Sequence, residues 1–98
     1  MDPRYQNFHN QVRQLQFRFH DVLDKPDHPE AQTIRSALQH LEDDVQSGKN
    51  PNSIEERIKT AQRQLQQARH ASDPIMDASN NVELYEDLEH MRRDIRSW

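Results

Sequence analysis

The chain has 98 residues, 17 of them acidic and 13 basic, a formal charge of −4, and a hydrophobic content of 32%. That length makes one domain spanning residues 1–98, and the mild negative charge weighs against a general nucleic-acid binder, which presents a strong basic excess. The absence of cysteine excludes disulfides and thiolate chemistry. No apolar run approaches the ~20 residues that span a bilayer, and the start of the chain lacks the apolar core of a signal peptide, so the expected location is cytoplasmic with no membrane contact.

So polar a composition raises the prospect of disorder, yet four stretches keep one apolar rhythm. Tyr5, Phe8, Val12, Leu15, Phe19 and Val22 alternate steps of three and four, which places them on one stripe of an α-helix. Asp2-Pro3 supplies an N-cap followed by proline at the first helical position. The spacing predicts a helix over about 3–23, stopped by Asp24-Lys25-Pro26. Ile34, Leu38, Leu41 and Val45 predict a second helix over 29–46, opened by Pro29 with Asp27 or His28 at the cap, and closed by Ser47-Gly48. Ile54, Ile58, Ala61, Leu65 and Ala68 predict a third over about 53–72. Ser53 and Glu56 match a capping box, and Asn50 before Pro51 is the alternative cap one turn earlier. Asp73-Pro74 could start a short turn through Ile75 and Met76. Leu84, Leu88, Met91, Ile95 and Trp98 predict a fourth helix over about 81–97, with Asn80 and Glu83 spaced as a capping box. Its acids come early and Arg92, Arg93 and Arg96 late, the order the helix dipole favours.

An apolar stripe of this kind is stable only when other helices cover it, and short connections make neighbouring helices antiparallel. The expected fold is all-α, an antiparallel up-down-up-down four-helix bundle. The alternative is a three-helix bundle whose fourth helix docks loosely or swaps onto a second chain. The small side chains of Ala61 and Ala68 leave room on the third helix that Phe8 and Phe19 are expected to fill.

Chemistry is sparse. None of the six histidines pairs with another at the i, i+4 spacing of a helical metal site. Asp87 and His90 form a single carboxylate-x-x-His. The spacing used by carboxylate-bridged di-iron bundles needs two such motifs, and the phase of the fourth helix turns His90 outward. One glycine precludes a glycine-rich phosphate loop, and the adjacent acids Asp43-Asp44 and Glu55-Glu56 diverge by about 100° on a helix. No catalytic residue, metal ligand or cofactor is expected, and the protein is expected not to be an enzyme.

Interaction is the reading that remains. Phe17 lies two residues from both Leu15 and Phe19, hence opposite the stripe, among polar neighbours that include Arg13 and His20. Phe17, Arg13 and His20 form the candidate interaction surface, since aromatic and arginine side chains are enriched at interfaces. Arg92, Arg93 and Arg96, with Arg57, Lys59, Arg63 and Arg69 on the third helix, form a weaker candidate basic patch. The leading expectation is a non-catalytic protein-interaction module or small adaptor whose partner is another protein, a homodimer being one form of this. The alternative is a small nucleic-acid-associated regulator using the basic residues of the third and fourth helices, and a metal-dependent enzyme ranks behind both.

Overall fold

The computed structural model describes residues 2–25, 27–70 and 78–98. The turn expected at Asp73-Pro74, with Ile75 and Met76, lies outside the described residues. Among the described residues five helices follow in order: α1 (Pro3–Arg18), α2 (His20–Leu23), α3 (Pro29–Gln46), α4 (Pro51–Arg69) and α5 (Ala78–Arg96). There is no strand among the described residues.

Local chemistry sets the boundaries. The Asp2 carboxylate accepts from the Arg4 backbone N–H at 2.8 Å, and Pro3 follows at the first helical position. The first predicted helix is not continuous: Phe19 (φ −103°, ψ 13°) separates α1 from α2. His20 Nδ1 donates to the Phe17 carbonyl at 2.7 Å, so a side chain enters the backbone ladder at this point. Helical bonding resumes on either side, from Phe19 N–H to the Leu15 carbonyl and from Leu23 N–H to the Phe19 carbonyl.

The bounds of α3 are those predicted, with His28 as the cap. Its end is a Schellman motif. Gly48 sits at φ 71° and donates to the Val45 carbonyl, while Lys49 donates to the Asp44 carbonyl. At the next helix the alternative cap prevails: the Asn50 side chain accepts from Ser53 N–H at 2.9 Å, so α4 starts at Pro51 rather than Ser53. Proline at the first position has no N–H to leave unsatisfied and its φ is already helical. The far end of α4 falls at Arg69, three residues short of the expected 72. Correspondingly, α5 starts at Ala78, which puts Asn80 and Asn81 inside the helix instead of at its cap.

Side chains fix the topology. Tyr5 donates to the Lys49 carbonyl at 2.7 Å and His9 lies 3.4 Å from Glu42, so α1 and α3 are antiparallel. Arg57 to Asp44 at 2.8 Å sets α3 against α4, and Arg96 to Glu55 at 2.6 Å, with Arg69 bonded to Asn81, sets α4 against α5. Arg18 bonds Glu83 and Asp87, and Trp98 packs edge-on against Tyr5 and Phe8, which closes α5 onto α1. The result is the up-down-up-down bundle, with α2 extending α1 along α3. The fourth long helix packs in the same chain, burying Leu84, Leu88, Met91 and Ile95.

The predicted stripes form one core. Phe8, Val12, Leu15, Phe19, Ile34, Leu38, Leu41, Val45, Ile54, Ile58, Ala61, Leu65 and Ala68 are all buried. Leu23, Ala31 and Ala37 join them, while Tyr5, Val22 and Trp98 cover the edges half-buried.

Candidate protein-interaction surface

Two large hydrophobic side chains are exposed among the described residues: Phe17 at 77% and Val82 at 39%. They belong to one end of the bundle. Arg18, next to Phe17, reaches 3.0 Å from Glu83, which is next to Val82. Phe17 is held there in a defined way. Its ring stacks on the His20 ring with centroids 5.6 Å apart and planes 25° apart, and the His20–Phe17 carbonyl bond fixes the imidazole. Arg13, Gln14 and Arg18 complete the walls of a shallow depression around this pair. Arg13 is exposed and forms no ion pair with a described residue, whereas Arg18 lies over the Phe19 ring at 4.8 Å and spends its charge on α5. The structure thus brings Phe17, Arg13 and His20 together on one face of α1 and α2.

The candidate basic patch fares differently. Arg92 reaches Glu89 at 2.6 Å and Glu55 at 3.7 Å, Arg93 reaches Glu89 at 3.5 Å, and Arg96 reaches Glu55 at 2.6 Å. On α4, Arg57 pairs with Asp44, Lys59 with Glu56, Arg63 with the Thr60 hydroxyl, and Arg69 with Asn81 beneath the Tyr85 ring. Arg57, Lys59, Arg92, Arg93 and Arg96 are thus each paired with a carboxylate, while Arg63 and Arg69 bond neutral side chains.

Sequence reasoning missed two polar residues on the α4–α5 seam. Asn81 is 2% exposed; it donates to the Leu65 carbonyl at 3.0 Å and accepts from Arg69. Gln62 is buried as well, and donates to Glu89 at 3.1 Å. For Asn81 a signal was present, because it precedes Leu84 by three and continues the three-four rhythm of α5 backwards. Glu89 gathers Arg92 and Gln62, and these hydrogen bonds hold its carboxyl down from 4.5 to about 2.

The structure does not gather further ligands around the Asp87/His90 spacing among the described residues. His90 is exposed and Asp87 bonds Arg18, and no group of three His, Cys, Asp or Glu able to hold a metal occurs among the described residues. Nor, among those residues, is any helix long and apolar enough to cross a membrane. Comparisons with known protein families, curated proteins and solved structures find no match.

Proposed function

We propose that this chain is a non-catalytic protein-interaction module that docks another protein on the α1–α2 face centred on Phe17. One observation carries the reading: the bundle buries the other two phenylalanines but presents Phe17 to solvent on an ordered support, stacked against His20. An exposed aromatic beside an arginine that forms no ion pair with a described residue is the side-chain chemistry that dominates interface energies. Convergent polar groups of the kind a catalytic site needs are not gathered on this face. The nucleic-acid alternative draws less support, because Arg92, Arg93 and Arg96 are committed to carboxylates.

The test is site-specific cross-linking. Benzophenone placed at position 17 should yield, in cells of the native source, one adduct identifiable by mass spectrometry and suppressed by excess wild-type chain. The Phe17→Ser chain should fail to suppress it while melting like wild type, since surface substitutions stay within ~0.5 kcal/mol. A Phe17→Ser chain that competes as well as wild type, or that unfolds, would overturn the reading. So would DNA or RNA binding that falls steeply with salt and is indifferent to Phe17.

A further inference from the structure

We infer that the occupant of the Phe17 face is a second copy of this chain, docked with the two α1–α2 segments crossing antiparallel at Phe17. The inference rests on the interaction reading above and deepens it by naming the partner. A two-fold interface must be self-complementary, because the same patch is presented by both copies. About such an axis, a residue a given number of places before Phe17 faces the residue the same number of places after it on the other copy.

The stripe has that symmetry. Arg13 and Asp21 lie four residues to either side of Phe17, and both are exposed. Residues four apart are neighbours along a helix face, and the hydrogen bonds that resume around Phe19 carry the stripe from α1 into α2. Antiparallel pairing sets Arg13 of each copy opposite Asp21 of the other, forming two identical ion pairs. Gln14 and His20 lie three residues to either side, and the two Phe17 rings meet on the axis.

The intramolecular bonding leaves these charges available. Arg13 has no ion pair with a described residue, and Asp21 faces His20 at 2.9 Å, a partner that carries charge only when protonated. Asp21 is itself 88% exposed. A foreign partner would impose no relation between the two sides of Phe17. A second copy is favoured by opposite charges at mirrored distances, and Arg13 and Asp21 stand at such positions.

Charge reversal tests the inference. Sedimentation equilibrium from about 1 µM to about 1 mM covers the range in which a small interface associates. Wild type should dimerise reversibly. Arg13→Asp and Asp21→Arg, each folded by circular dichroism, should dimerise at least about tenfold more weakly, because each places like charges opposite one another twice. An equimolar mixture of the two variants should associate as wild type does, since the introduced carboxylate of one then faces the introduced guanidinium of the other. Disruption through misfolding produces no such rescue, and a general charge effect would strengthen rather than weaken association of Asp21→Arg, whose net charge is smaller. A wild-type chain that stays monomeric, or a mixture no tighter than its components, overturns the inference. If wild type is monomeric while position 17 still cross-links a different protein, the interaction reading stands and the second copy is the wrong partner. If no adduct forms either, both fall.

Discussion

Phe17 and Phe19 are two residues apart and have opposite surroundings, one 77% and the other 4% exposed. The helical turn of 100° per residue is enough to separate them, and this much could be read from spacing alone. Phe19→Ala should therefore lower the unfolding free energy by ~3–5 kcal/mol in urea titration, in contrast to Phe17→Ser. A loss below about 1 kcal/mol would show that the site is not the packed core position described here. What spacing could not reveal was the contact between Phe17 and His20, because it depends on where the His20 ring bonds the Phe17 carbonyl. The rhythm of α5 placed Asn81 on the seam, but its residue type argued against burial. An asparagine near a helix start suggests a cap, and the partners that satisfy it when buried, the Leu65 carbonyl and Arg69, lie on the facing helix.

Helix existence was legible and helix ends were less so, for a physical reason. The apolar rhythm is enforced by every seam residue at once, whereas an end depends on which of several polar groups captures an orphan N–H or carbonyl. Asn50 wins over Ser53 because Pro51 can follow it at no hydrogen-bonding cost, and the continuous first helix was expected because nothing in its apolar pattern changes at Phe19. Gly48 was the end most securely read. Its left-handed φ of 71° has open space where a Cβ would stand, so the strain of a side chain there is conformational rather than steric. Gly48→Ala should lower stability by about 1 kcal/mol. Gly48→Asn should lose less, as asparagine tolerates that region. Equal losses in thermal unfolding would argue for a contact at the site instead.

Among the described residues, polar contacts concentrate between α4 and α5, where Glu55, Gln62, Glu89, Arg92 and Arg96 form one chain of hydrogen bonds and ion pairs. Glu89 is the group this network shifts most visibly. Its folded value of about 2 lies below the ordinary 4.5, so its stabilising contribution is present in full above about pH 4.5 and is lost as pH falls toward 2. With solvent access to the carboxylate the loss should be modest, about 1 kcal/mol. Chemical denaturation at pH 6 and at pH 3 should thus show wild type losing more than Glu89→Gln does. A variant whose acid sensitivity equals that of wild type would remove Glu89 from the account.

The ring of four seams has one member unlike the rest. Three of them join helices consecutive along the chain and can form as local hairpins. The fourth, between α1 and α5, ties Arg18 to Asp87 across 69 positions and sets Trp98 against Tyr5 and Phe8. Loop-closure entropy disfavours such a contact until the intervening hairpins have shortened the effective loop. The molecule is therefore expected to close like a clasp, with its last helix completing the barrier between core and water after the others are in place. The single tryptophan sits at that clasp, so the indole's environment changes at the step that turns three stacked hairpins into a closed bundle.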